Sequence, residues 1–372
     1  MEKSKKKSSG IIQKILVVLL TFAVIIVIAF LDPNIASIGE ALNRVVPIWL
    51  VAAFIASLGY YFFDALMLKH ICSIMNAKQK WSDTIITTMI GFFYSALTPF
   101  QSGGQPFQVL RMRKTGVPVG ASTSILILKL IVWQTGMSLM GTCGIIVHFS
   151  KILEYSIAEK IFLIVGYVLN MGVLVLAALI LLKPKWIYNI GNKLLAFLHK
   201  IKLIRKTEKY EHACTVWKCT IDDYNIAVHF FKEKWLKLIP VVLVALLECI
   251  SYASVTYFLY RAFGLNDYGF IYIIILQSLL TIAVSFMPLP GAAGASEGGF
   301  YIVFTSFFGE SLRFPALLLW RLFTYYMSLI LGLIAVIIDG FQKKTRIARS
   351  GEMQNLIEEN EVELLSNDVG KK

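Results

Sequence analysis

The chain has 372 residues, of which 57% are hydrophobic and only 16% are charged, and its mean hydropathy is +0.69. Soluble domains carry roughly 25% charged residues, so this composition excludes a soluble enzyme and predicts an all-α polytopic membrane protein. The net charge of +13 comes from lysines and arginines gathered in short stretches. That pattern orients membrane spans, and without a compact basic domain no nucleic acid is expected as a partner.

The first half of the chain is predicted to hold three spans and one broken hairpin. Residues 1–10 form a basic cytoplasmic N-terminus, and residues 11–148 form the first membrane repeat. The predicted elements of this repeat are the spans Ile15–Leu31, Pro47–Leu68 and Gly120–Val147, with a hairpin that enters through Ser82–Leu97. A full span at 82–97 would place Arg111 and its basic neighbours outside, against the positive-inside rule, so this hairpin is predicted to be re-entrant from the cytoplasmic side.

The second half is predicted to repeat this plan with inverted topology. Residues 149–182 hold a connecting loop and the first span of the second repeat, residues 183–234 a cytoplasmic amphipathic insertion, residues 235–341 the rest of the repeat, and residues 342–372 a polar cytoplasmic tail. The predicted elements of this repeat are the spans Ile161–Leu182, Leu236–Tyr260 and Pro315–Ile338, with a hairpin at Gly269–Phe308 that opens to the outside. Six full spans and two opposed hairpins are the architecture expected of an alternating-access transporter.

The insertion contains one amphipathic helix in which apolar residues recur at alternating intervals of four and three, which is typical of a single helix face. These residues are Trp217, Ile221, Tyr224, Val228, Phe231 and Trp235. The helix is predicted to lie either on the membrane surface or against the underside of the bundle.

Each hairpin turns at a stretch rich in glycine and proline, and the two stretches share a Pro-x3-Gly plan at Pro99 and Gly103 and at Pro290 and Gly294. Non-helical backbone is tolerated at membrane depth only where protein covers it or where it lines a cavity. We therefore predict that both breaks form the walls and hinges of a substrate site. The predicted hinge residues are Pro99, Gly103, Gly104, Pro288, Pro290, Gly291 and Gly294.

Five ionisable residues lie in apolar segments, where a charge is costly and is a functional hypothesis by default. They are Asp64, Lys129, Glu248, Glu297 and Arg321. Lys129 follows Pro99 by 30 positions and Arg321 follows Pro290 by 31, so each half supplies one base after the same landmark. These residues form either a substrate site for a charged headgroup or ion pairs that hold the bundle together.

The motifs resemble those of the lysylphosphatidylglycerol synthase transmembrane-region family. The resemblance rests on the run from Leu97 to Pro106 with Arg111 downstream, on the run from Pro288 to Glu297, and on Arg321 in the last span. It covers roughly residues 10–345 and implies broken hairpins and the movement of lipids between leaflets. Gln105 stands where family members often have glutamate. The soluble aminoacyltransferase domain of the synthase branch is not expected here, because the chain ends about thirty residues after the last predicted span.

The predicted function is therefore that of a lipid flippase or transporter in the plasma membrane, with both termini cytoplasmic. Its substrate would be a phospholipid, an aminoacylated phospholipid or a polyprenyl-phosphate lipid, bound by Asp64, Gln105, Lys129, Glu248, Glu297 and Arg321, with Arg111 gathering anionic lipid headgroups at the cytoplasmic mouth. The alternative is a phosphatidylglycerol lysyltransferase-type synthase or its accessory subunit. No cofactor or metal is predicted, since the spacing of His212, Cys214 and Cys219 fits no zinc pattern. A homo-oligomer is compatible with the sequence.

Overall fold

The structure is a computed structural model that describes residues 38–43, 45–154, 157–201, 207–233, 235–285 and 287–342. The predicted first span Ile15–Leu31, the basic N-terminus and the tail after residue 342 lie outside the described residues. In chain order the α-helices are α1 (Ile38–Asn43), α2 (Pro47–Ile74), α3 (Trp81–Ala96), α4 (Gly104–Lys114), α5 (Val119–Val147), α6 (Phe149–Glu154), α7 (Ile157–Leu182), α8 (Pro184–Lys200), α9 (Thr207–Glu233), α10 (Ile239–Ala262), α11 (Phe270–Val284), α12 (Ala295–Arg321) and α13 (327–342).

Short irregular helices mark the places where the chain turns. In the described part of the chain, 3-10 turns lie at Pro99–Gln101, Trp235–Leu238 and Pro290–Ala292, and the segment Leu322–Tyr326 between α12 and α13 is a π-helical turn. No strand occurs in the ranges that the structure covers. The chain is thus an all-α protein, as its composition predicts.

Among the described residues, five helical stretches are long and apolar enough to cross a membrane, and they confirm a polytopic membrane protein. They are Pro47–Ile74, Val119–Val147, Lys160–Leu179, Leu236–Ala262 and Pro290–Gln342. The last stretch has 53 residues, which is about 80 Å of helix against a hydrocarbon core of about 30 Å. Gly309 interrupts it with φ 70° and ψ 170°, so it divides into the second arm of a hairpin and a final span. That span begins at residue 310, five residues before the predicted start at Pro315.

Helices α2 and α10 form the central pair of the bundle because small residues let their backbones approach closely. A Cβ atom at Gly59 would lie 2.5 Å from Ser251 Oγ, and that hydroxyl donates a hydrogen bond to the carbonyl oxygen of Ala56 at 2.9 Å. Ser57 donates in turn to the carbonyl oxygen of Phe323 at 2.6 Å. This packing fixes the register of the two helices that carry Asp64 and Glu248.

The two broken hairpins enter the bundle from opposite ends of α10. The base of the first, α3–α4, packs through Met112 in the same apolar cluster as Val241 at the start of α10. The base of the second, α11–α12, packs through Phe308 against Phe263 just after the end of α10, with ring centroids 6.1 Å apart. Their 3-10 turns contact each other in the middle of the bundle. The hairpins therefore have the inverted arrangement that the sequence predicts.

Candidate functional site

A cavity of about 460 Å³ that contains several charged side chains lies where the tips of the two hairpins meet. Its walls come from both hairpins and from α2, α5, α7, α10 and the last span. Five of the predicted substrate-site residues line it, namely Asp64, Gln105, Lys129, Glu248 and Arg321, and so does one predicted hinge residue, Gly291. Residues as far apart in the sequence as Asp64 and Arg321, which are separated by 257 positions, thus share one chamber.

Lys129 and Asp64 form one buried ion pair in this cavity. Lys129 Nζ lies 2.5 Å from Asp64 Oδ1, and the two side chains are 11% and 8% exposed. Lysine is a compact charge on a flexible stem, so it can leave this carboxylate for another anion without a large backbone movement. Removing either member alone would leave the other charge buried without its partner.

Arg321 and Glu297 form a second and more rigid pair. Arg321 Nη2 and Nε lie 2.7 Å and 2.8 Å from Glu297 Oε1, and the two side chains are 6% and 1% exposed. The N–H of Gly294 donates to Glu297 Oε2 at 2.7 Å, and Arg321 Nη1 donates to the carbonyl oxygen of Gly291 at 3.3 Å. Glu297 does not itself line the cavity, so the pair ties the last span to the second break and presents Arg321 to the chamber.

The second break takes its shape from glycines that no other residue could replace without strain. Gly291 and Gly294 have φ values of 60° and 83°, in the left-handed region that favours glycine. At Gly291 a Cβ atom would also lie 2.2 Å from the ring of Tyr325. This conformation leaves the N–H of Gly294 free to bind Glu297 and the carbonyl oxygen of Gly291 free to bind Arg321 in the last span.

The first break brings its two arms together in a similar way. A Cβ atom at Gly104 would lie 2.2 Å from Ser95 Oγ and 2.7 Å from the carbonyl oxygen of Gly91. Pro99 opens the 3-10 turn, and Gly103 donates its N–H to Thr98 Oγ1 at 2.8 Å. No ionisable side chain stands in this turn, in contrast with Glu297 in the second break. Pro288, which precedes the second turn, is exposed.

Glu248 is the carboxylate without an ion-pair partner in the cavity. It is 1% exposed, and neither of its oxygens accepts a hydrogen bond of normal geometry from any described residue. Asp64, Lys129 and the indole of Trp133 lie near enough to act on it electrostatically. A buried carboxylate left in this way costs free energy unless a ligand or a proton satisfies it.

Arg111 lies away from the cavity, at the base of the first hairpin. Its Nη2 atom is 2.8 Å from Asp83 Oδ1, its Nε atom is 2.9 Å from Asp339 Oδ1, and its side chain is only 3% exposed. Lys114 Nζ also lies 2.7 Å from Asp339 Oδ2. We refer to Asp83, Arg111, Lys114 and Asp339 as the basal ion cluster. It joins both arms of the first hairpin to the end of the last span.

Several cavity residues carry no sequence signal strong enough to predict them. Tyr252, Thr324 and Ser328 line the chamber, and Gln108 lies there at 6% exposure. Hydroxyl and amide side chains are common at helix contacts in membrane bundles, so only knowledge of which helix faces meet could single these out.

Comparisons with known proteins agree with this architecture. A family model described as the lysylphosphatidylglycerol synthase transmembrane region matches residues 11–332. The chain is similar to a protein of Archaeoglobus fulgidus named UPF0104 membrane protein, with 24% identity over 297 residues. That match covers 77% of this chain and 85% of the archaeal protein.

Proposed function

Because the chain belongs to the lysylphosphatidylglycerol synthase transmembrane-region family, we propose that it moves lipids between membrane leaflets through the central cavity. The observation that carries this proposal is the position of the cavity, between the tips of two broken hairpins that enter from opposite ends of the bundle. A site at the contact of inverted repeats can open alternately to either side when one hairpin moves against the other.

The size of the cavity suits a lipid headgroup rather than a whole lipid. Ligand pockets for small molecules measure roughly 300–1,000 Å³, and the chamber holds about 460 Å³. Two acyl chains would not fit beside a headgroup in that volume. We therefore propose that the headgroup occupies the chamber while the acyl chains stay in the membrane.

The charges of the site favour a headgroup that carries an amine as well as a phosphate. The described cavity and its immediate partners hold two cations, Lys129 and Arg321, and three carboxylates, Asp64, Glu248 and Glu297. With all five ionised the sum is −1, and the carboxylate without an ion-pair partner is Glu248. An ammonium group would satisfy Glu248, and Lys129 could turn from Asp64 to the phosphate. Zwitterionic or aminoacylated phospholipids thus suit the site better than a polyprenyl phosphate.

The proposal is tested by flipping assays in liposomes that hold the purified protein. Fluorescent lipids with different headgroups are added, and the fraction protected from a membrane-impermeant quencher is followed over time. We expect faster loss of protection for amine-bearing phospholipids, and loss of that acceleration in Lys129→Met. Lys114→Gln, which removes a lysine outside the cavity, is the matched control. If folded protein accelerates no lipid in the panel, the transport proposal fails, and tRNA-dependent lipid aminoacylation becomes the activity to measure.

A further inference from the structure

Helix α8 (Pro184–Lys200) carries a row of exposed apolar side chains that the transport mechanism does not use. Trp186, Ile190, Leu194, Phe197 and Ile201 are between 51% and 63% exposed. At 3.6 residues per turn they fall within an arc of about 80°, so they form one continuous face, which we call the apolar stripe. No other described residue covers it.

The opposite face of α8 is fixed to the rest of the protein. A Cβ atom at Gly191 would lie 2.2 Å from the ring of Trp217 in α9, and the indole N–H of Trp217 donates to the carbonyl oxygen of Tyr188 at 3.4 Å. His199 stacks on Tyr210 with ring centroids 4.6 Å apart. Helix α9 in turn packs against α5 and buries its own side chain Ile221. The bundle thus holds α8 in place with the apolar stripe turned outward.

The position of α8 identifies what the apolar stripe faces. The membrane span α7 ends at Leu182, and α8 begins two residues later at Pro184. The start of α8 is therefore at the edge of the bilayer. Tryptophan is enriched at that level of a membrane, and Trp186 occupies the first turn of α8, with Lys183 Nζ 5.5 Å from its ring.

The charges around the apolar stripe identify the chemistry of the lipid. Lys183, Lys185, Lys193 and Lys200 are all exposed, and the sequence from 183 to 201 contains no aspartate or glutamate. Helices with an apolar face and a lysine-rich polar face lie in the membrane interface and are attracted to anionic lipids. The same lysines predict that this leaflet is the cytoplasmic one.

We propose that α8 is an interfacial helix whose apolar stripe inserts among the headgroups of the leaflet next to Lys183, with a preference for anionic lipids. This surface is separate from the central cavity and does not depend on lipid transport. Its physical role is to couple the α8–α9 pair, and through it α5, to the composition of that leaflet.

The test places a single label on the apolar stripe of the full-length protein in lipid nanodiscs. The accessible thiols Cys143, Cys214 and Cys219 are replaced by serine, and a polarity-sensitive fluorophore is attached at Ile190→Cys. Asn189→Cys is the matched control, since Asn189 is exposed on the same helix but outside the stripe. We expect lipids with a nitroxide on the acyl chain to quench the label at 190 at least about threefold more than the label at 189.

Equal lipid quenching at the two positions would overturn the proposal. So would protection of the label at 190 from both lipid-borne and aqueous quenchers, since that result would mean that protein covers the apolar stripe. Phosphatidylglycerol is expected to increase the quenching at 190 relative to phosphatidylcholine alone. The lysine variant Lys185→Gln/Lys193→Gln is expected to lose that increase. If phosphatidylglycerol has no effect on the parent protein, the preference for anionic lipids is wrong.

Discussion

The Glu297–Arg321 pair allows stability and function to be separated by one mutant cycle. The single variants are Arg321→Met and Glu297→Gln, and the double variant carries both changes. Each single change leaves one charged or strongly polar group buried beside a partner that no longer complements it. The double variant removes both charges and keeps an amide that can still accept the hydrogen bond from Gly294.

The expected magnitudes follow from the geometry of the pair. The closest charged atoms are 2.7 Å apart, and the two side chains are 6% and 1% exposed. Charge centres about 4 Å apart attract by about 4 kcal/mol at an effective dielectric constant of about 20. Removing one member of such a pair typically costs about 3–5 kcal/mol, whereas replacing both is often close to neutral. We therefore expect Arg321→Met to lower the free energy of unfolding by about 3–5 kcal/mol and the double variant to recover most of that loss.

Two measurements decide the outcome. The free energy of unfolding is measured by denaturant titration in bicelles, and lipid movement is measured in liposomes with the same preparations. We expect the double variant to be stable and inactive, since it has no cationic side chain at position 321 to contact a substrate in the cavity. A loss below about 1 kcal/mol in Arg321→Met would refute the argument for a buried, uncompensated carboxylate. A stable double variant that transports at the parent rate would refute the assignment of Arg321 to the substrate site.

Three further predictions use other parts of the site. Glu248→Gln is expected to keep or raise the free energy of unfolding, since the Glu248 carboxylate has no hydrogen-bond partner among the described residues. The same variant is expected to flip amine-bearing lipids about tenfold more slowly, or slower still. Equal flipping rates for the parent protein and the variant would contradict this. Gly291→Ala should destabilise the protein more than Gly294→Ala, because both have positive φ but only Gly291 would meet the ring of Tyr325; thermal unfolding of the two variants ranks them. In the basal ion cluster, Arg111→Gln should lower the free energy of unfolding by several kcal/mol. Lys114→Gln should lower it by less than about 1 kcal/mol, because the Lys114 side chain is 46% exposed. Similar losses in the two variants would contradict the argument from burial.

The parts of the site that could be predicted from sequence are those whose chemistry conflicts with their surroundings. Prolines and glycines inside apolar runs, and charges at membrane depth, stand out against a background of leucine and isoleucine. This is why Pro290, Gly294, Lys129 and Arg321 were identifiable, and why the hairpin boundaries at 269–308 agree closely with the helices. Their roles in transport remain predictions.

The parts that could not be predicted depend on contacts between distant helices. The choice of Asp64 rather than Glu248 as the partner of Lys129 depends on the register of α2 against α5. The sequence predicts Arg111 at the cytoplasmic mouth, and its buried contact with Asp339, which lies 228 positions away, could not be predicted. The start of the last span at residue 310 rather than at Pro315 follows from the backbone conformation of Gly309. None of these relations leaves a local pattern in the sequence.

The amphipathic helices show how the same periodic signal can have different outcomes. The predicted stripe that includes Trp217 and Ile221 belongs to α9, which packs against α5 and buries Ile221. The apolar stripe of α8, which lies in the same predicted insertion at 183–234, has the same period, yet it stays exposed. Periodicity identifies a helix face, whereas the partner of that face depends on what the fold places next to it.

The π-helical turn at Leu322–Tyr326 divides the last span into two helical segments whose side chains follow different angular positions around the helix axis. A π-helical turn inserts about one residue more than an α-helical turn holds, and one residue corresponds to a rotation of about 100°. Side chains before Arg321 and side chains after Tyr326 therefore follow separate phases around the helix axis. A solvent-accessibility scan along this span would show two periodic patterns offset by about 100°, with the change of phase directly beside the arginine.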